Sequence, residues 1–167
     1  TRSSLVSWGS EMCIRDRSFS VDSIIKCLEP KAKIVVLEQS TKGALCTALL
    51  ASSYVDNDEE LLIMAIDDFV DENYKTILAQ FREKNADAGV VSFTSVHPRY
   101  SFMLLDESER PIEFVEKRPV SKNALASFYY YKHGKEFIDC AKNVIRKDNA
   151  IKLSLIHISE PTRPERI

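Results

Sequence analysis

The order of elements written in the chain predicts an α/β protein, a three-layer fold with a mostly parallel sheet and an antiparallel hairpin inserted into it. Three observations carry that prediction. Between Val21 and Thr94, β-branched or wholly apolar runs alternate with stretches of helical period, the pattern of strands joined by helical crossovers. Leu61–Ala65 is an unbroken apolar run that Ile66 continues; it has no polar face and reads as a strand buried on both sides. Tyr100–Leu105 and Ile112–Lys117 flank a charged turn, Asp106–Pro111, and read as an antiparallel hairpin.

The remaining elements follow in order. Val21, Ile24, Ile25 and Leu28 fall on one helix face, which Pro30 ends. Lys33–Glu38, KIVVLE, reads as a short buried strand, and Gln39–Gly43 as the turn after it. Ala44–Ser53 is nearly all small or apolar, which predicts a helix packed on both sides. Tyr74, Ile77, Leu78 and Phe81 give an amphipathic helix over Asn73–Lys84, and Gly89–Thr94 the next strand. Leu125–Tyr131 is a β-rich run with three tyrosines, read as strand packing, and Phe137–Ile145 closes the series as a helix.

Composition narrows the function. The apolar fraction of 44% and charged fraction of 29% are those of an ordinary soluble protein. A net charge of −2 without a basic face argues against nucleic acid as the partner, and no apolar run suits a membrane span. Cys13, Cys27, Cys46 and Cys140 show no paired spacing, which favours buried free thiols in a reducing, cytoplasmic compartment. His97 and His133 have no ligand partner at metal spacing and read as surface residues.

Both ends read as foreign to the domain. Leu153–Arg163, LSLIHISEPTR, resembles the translation of a transposase-type sequencing adapter. Ser10–Arg17, SEMCIRDR, is what the opposite strand of that adapter would encode, so the two flanks can be encoded by reverse complements of one another. Residues 1–17 and 153–167 are therefore expected to be adapter-derived tails, and Trp8 and His157 drop out as site candidates. Residues 18–152 remain as a window cut from a longer gene.

Within that window the chemistry gathers around Asp67 and Asp68, which arrive where the central strand should end. In an open α/β sheet, ligands sit in the crevice at the carboxyl ends of strands, and a carboxylate there can hold a hard cation such as Mg²⁺ beside substrate phosphates. The same pair could instead cap the helix that begins near Asn73.

Four blocks in order resemble the sugar-phosphate nucleotidyltransferases, of nucleotide-diphospho-sugar transferase (Rossmann-like) fold: Thr41-Lys42-Gly43-Ala44 leading into a small-residue helix, the strand LLIMAIDD, Glu116-Lys117-Arg118-Pro119, and the strand ALASFYYYK before a helix. The resemblance covers the whole window and extends to the superfamily, not to one base, sugar or oligomeric state. It implies an enzyme that condenses a nucleoside triphosphate with a sugar 1-phosphate and releases pyrophosphate, with Mg²⁺ as cofactor. Asp67 matches the metal-binding aspartate. Glu116 and Lys117 match the pair that grips the sugar phosphate, Lys117 also serving catalysis. Gly43 matches the glycine beside the base, where the absent side chain permits close approach to a flat ring. Glu38 stands where relatives often carry a glutamine on the base, and Thr41 is a candidate base or ribose contact, or a helix cap.

The chain also departs from the family. Nothing before Val21 resembles the first strand and glycine-rich phosphate loop, and the second metal aspartate would lie beyond Lys152. The reading is a partial nucleotidyltransferase domain over residues 18–152, truncated at both ends, belonging to an active parent but itself inactive. Two alternatives stand beside it. A metal-dependent glycosyltransferase of related fold would use Asp67 and Asp68 together. A non-catalytic binding module would fold by itself, whereas truncation predicts an open sheet edge where the first strand should be.

Overall fold

The computed structural model describes residues 3–8, 21–36, 41–65 and 68–146. Its elements in chain order are β1 (Ser3–Trp8), α1 (Val21–Leu28), α2 (Ala44–Leu49), α3 (Ser52–Val55), β2 (Glu60–Ala65), α4 (Tyr74–Glu83), β3 (Ala88–Thr94), β4 (Phe102–Leu105), β5 (Pro111–Val115), β6 (Asn123–Tyr131) and α5 (Gly134–Arg146). The strands form one sheet of order β1-β2-β6-β4-β5, with β3 also paired to β6.

The tyrosine-rich strand β6 is the hub. Its residues 129–131 pair with β2 and with β3, and Ala124 pairs with β3 and with β4. A strand has two edges, so β3 lines one edge of β6, and β2 and β4 follow each other along the other. The expected crossover from β2 through α4 to β3 is present, but β6 is inserted between the two strands and runs against both. This corrects the mostly parallel sheet: among the described residues only β1 and β2 pair parallel, and every other ladder is antiparallel.

Alternation along β2 and β6 sends side chains to two cores. On one face Leu61, Ile63, Tyr129 and Tyr131 pack with Leu45 and Ala48 of α2 and Phe137, Ile138 and Ala141 of α5. On the other, Leu62, Phe128 and Tyr130 pack with Ile77, Leu78 and Phe81 of α4. Helices therefore cover both faces, which is the three-layer α/β arrangement. Phe81 stacks on Tyr130 with centroids 5.0 Å apart, and Gly89 leaves room for that ring, because a Cβ there would sit 2.3 Å from Phe81 Cε1.

Several elements differ from expectation. Residues 32–36 are not a strand, and Ile34, Val35 and Val36 are exposed; Leu37 and Glu38 lie outside the described residues. High β-propensity makes a strand only where a ladder partner is available, and none of the described strands pairs with this segment. The helix expected over Ala44–Ser53 breaks into α2 and α3 around Leu50 and Ala51. β1 pairs along β2, so the edge expected to lie open there is occupied, by a strand that the sequence reading does not assign. Cys27 and Cys140 are exposed rather than buried, although all three described cysteines are free thiols. Among the described residues no helix is long and apolar enough to cross a membrane.

Candidate active site

The register of the sheet brings two chain segments toward each other over one stretch of β6. β2 climbs β6 from Leu61 opposite Tyr131 to Met64 opposite Phe128, heading toward the start of β6. From the other end, Phe102 of β4 lies opposite Ala124, and Val115 of β5 lies opposite Phe102. β5 is antiparallel to β4, and β4 to β6, so the chain leaving Val115 runs back along β6 toward the end of β2. Glu116 and Lys117 are the residues that leave, and Asp68 stands just past the end of β2.

Tyr129 reports this convergence. It is a buried residue, 6% exposed, in the α2/α5 core. Burial pushes its phenol up to about 12, and the negative fields of Asp68 and Glu116 push in the same direction. Carboxylates from the ends of β2 and β5 thus act on one hydroxyl. Both are half-buried. Carboxylate oxygens are hard donors of the kind Mg²⁺ takes.

Lys117 carries a second signal. Its φ is 52°, left-handed, an uncommon conformation for a residue with a side chain. Such backbones cost about 1–3 kcal/mol and concentrate at functional sites. The kink interrupts the strand alternation that would send Glu116 and Lys117 to opposite faces. Arg118 is exposed, as is Lys117.

At the start of α2, Gly43 has φ 145° and ψ 173°, a region open essentially to glycine alone. The Thr41 and Thr47 hydroxyls lie 2.6 Å apart, and 3.1 Å and 3.3 Å from the Gly43 carbonyl oxygen, so one donates to the other and the second donates to the carbonyl. Gly43 is the N-cap residue and no side chain caps α2, so Thr41 braces the turn rather than capping the helix. The glycine requirement is therefore conformational, and it leaves the backbone at Gly43 without a side chain over it.

Asp67 and Glu38 both lie outside the described residues. Asp68 does not cap α4: Asn73 does, accepting from the Lys75 backbone N–H at 2.9 Å. Among the described residues no three His, Cys, Asp or Glu side chains cluster as a metal site. His97 is exposed and accepts from the Arg99 N–H at Nδ1, while His133 bonds the Asp58 carbonyl through Nδ1 at 2.9 Å. Tyr129, read from the sequence as strand packing, is the residue near the candidate site that the structure adds. Tyr129 was hidden among three tyrosines that all look like packing, and a strand partner is needed to tell which of them lies near the carboxylates.

The family model "Nucleotidyl transferase" matches residues 12–158. The chain therefore belongs to the nucleotidyl transferase family. Among solved structures it is similar to a nucleoside-diphosphate-sugar pyrophosphorylase from Vibrio cholerae RC9, at 17% identity and a TM-score of 0.66, covering 95% of this chain and 67% of that one. It is similar to a putative glucose-1-phosphate thymidylyltransferase from Bacillus anthracis in complex with a sucrose, at 20% identity and a TM-score of 0.66, covering 92% and 61%. HddC from Yersinia pseudotuberculosis follows at 17% identity and a TM-score of 0.55, covering 83% and 59%. At these identities the likeness shows the fold, and the chain spans about three fifths to two thirds of the length of these structures. No curated protein sequence matches the chain.

Proposed function

We propose that this chain is a partial domain of a nucleotidyltransferase that joins a nucleoside triphosphate to a sugar 1-phosphate, giving a nucleotide sugar for carbohydrate biosynthesis. The observation that carries the reading is the approach of Glu116–Lys117 and Asp68 over one stretch of β6. In the reaction an oxygen of the sugar phosphate attacks the α-phosphorus, the α–β anhydride bond breaks, and pyrophosphate leaves. No nucleophilic side chain is needed; catalysis is positioning and charge neutralisation.

Each residue has a part in that scheme. Lys117 supplies a compact positive charge for the sugar phosphate, and Glu116 accepts hydrogen bonds from sugar hydroxyls. Gly43 presents bare backbone to the base, with Thr41 bracing it and Glu38 offering an acceptor to base N–H groups. Asp67, with Asp68 beside it, would hold Mg²⁺. That ion neutralises phosphate oxygens when bound.

The parent enzyme works in the cytoplasm on this reading. Residues 1–17 and 153–167 are adapter-derived on the same reading, and residues 18–152 hold neither the glycine-rich phosphate loop nor the second metal aspartate that the family resemblance implies. Their loss removes several kcal/mol of transition-state stabilisation, at about 3 kcal/mol per oxyanion-type donor. The chain is therefore expected to bind hexose 1-phosphates without turning them over. Phosphorus NMR of the full chain with Mg²⁺, each nucleoside triphosphate and glucose 1-phosphate tests this. Line broadening of the sugar phosphate without pyrophosphate is the expected result. Pyrophosphate release refutes the inactivity, and the absence of any sugar-phosphate binding refutes the site.

A further inference from the structure

We propose that the outer edge of β2 is a strand-acceptor site, filled in this chain by residues 3–8 and able to take an extended, uncharged peptide segment in their place. No residue of the candidate active site is involved, so this surface stands or falls apart from the functional reading.

The register carries it. β1 pairs with β2 in parallel over its whole length, from Ser3 opposite Glu60 to Trp8 opposite Ala65. β2 is its one partner among the described strands, and β1 also lies against α2. The acceptor is fixed from elsewhere: the inner edge of β2 is paired to β6, Leu61 and Ile63 pack in one core, and Leu62 packs in the other. The donor is a poor match for that position. A strand laid between two helix layers reads as a near-continuous apolar run, as β2 does. Yet three of the six residues of SSLVSW are serines, with Ser4 opposite Leu61 and Ser7 opposite Met64. What β1 shares with β2 is thus the backbone ladder, which any extended segment without proline can make. In recognition by strand addition, main-chain hydrogen bonds of this kind give the affinity. Charge is what the edge excludes: Leu61–Ala65 offers no polar side chain to compensate a buried ion, and SSLVSW carries none.

Covalent attachment gives β1 an effective concentration of about the millimolar range, so the test weakens the resident strand first. Successive amides in a strand point to opposite edges, and one edge of β1 meets β2. Of Leu5→Pro and Val6→Pro, therefore, one removes a ladder donor and the other does not. The probe is a fluorescein-labelled peptide of sequence TRSSLVSWGS, titrated into the full chain of each variant and of the wild type, with anisotropy as the readout. The expected result is binding about 10-fold tighter or more in one proline variant than in the wild type and the other variant, the scale of one ladder hydrogen bond. No gain in either variant overturns the proposal, as does an equal gain in both. A dimer of the weakened variant that excess peptide does not dissociate also overturns it, because a second copy then holds the edge. Should the proline variants not fold, amide exchange of the wild type in millimolar peptide decides. Faster exchange over residues 3–8 with residues 60–65 still protected supports the proposal, and any other pattern overturns it.

Discussion

The buried hydroxyl of Tyr130 donates to Glu60 Oε1 at 2.9 Å, tying the first residue of β2 to the hub strand. Arg82 of α4 completes the group, with Nε 2.8 Å from Oε1 and one terminal nitrogen 2.5 Å from Oε2. One carboxylate thus joins two strands and a helix on the face opposite the candidate site. Glu60→Ala leaves the Tyr130 hydroxyl without that acceptor, a loss of about 1–3 kcal/mol. Tyr130→Phe removes donor and demand together and costs less. Urea denaturation of the two variants should rank them in that order, and the reverse ranking would refute this account.

Alkaline pH should unfold the chain through its tyrosines. Burial and the neighbouring carboxylates push the phenols of Tyr129 and Tyr130 up to about 12. The unfolded phenol loses its proton near 10, the folded one near 12, so between those values the unfolded state binds fewer protons. Stability is therefore flat below about pH 10 and falls as pH rises from there toward 12. Melting temperature across pH 9–12 checks this, and a double phenylalanine variant should flatten the decline.

Gly134 stands against the Val55 carbonyl so closely that a Cβ would lie 1.9 Å from its oxygen. The backbone there is held by bonds from Gly134 N–H to the Glu59 carbonyl and from Lys135 N–H to the Asn57 carbonyl, and by the Lys135–Asp58 ion pair. A carbonyl fixed in this way cannot rotate aside as a side chain would. Gly134→Ala should cost about 1–3 kcal/mol or more, read as a drop in urea midpoint. Gly89→Ala meets a ring instead, and should show its effect in near-ultraviolet circular dichroism as Phe81 is displaced from Tyr130.

Lys117→Gly should separate stability from binding. Relief of the left-handed backbone is worth about 1–2 kcal/mol, offset in part by the greater freedom of glycine in the unfolded chain. The variant is expected to melt at or slightly above the wild-type temperature while losing most of its affinity for glucose 1-phosphate. Lys117→Ala keeps the strain and should lose the affinity without the gain in melting temperature. Calorimetric titration beside thermal melts distinguishes the two outcomes.

Most of the elements were legible in the sequence because each rests on a local period. α1 over Val21–Leu28 is as expected, and α4, β3, β4, β5, β6 and α5 depart from expectation by a few residues at their ends. The Asp106 turn is also local: its carboxylate accepts from the Ser108 and Arg110 N–H groups at 2.9 Å each. Lys33–Val36 shows where locality ends, since its β-branched residues are those of a strand and its partner is absent among the described strands.

Of the candidate site, the sequence by itself determined which residues are candidates: the Glu116–Lys117 couple, Gly43 in its turn, and acidic residues after the apolar strand. It also determined that strands and helices alternate to make three layers. Only the tertiary structure decided that β6 inserts between β2 and β3, reversing the expected pairing, and that Tyr129 lies in the field of Asp68 and Glu116. The reason is physical. Periodicity reports which face of an element is apolar, a property of near neighbours in the chain, whereas strand order and register are set by side-chain packing between segments some 65 residues apart in sequence, such as Ile63 and Tyr129.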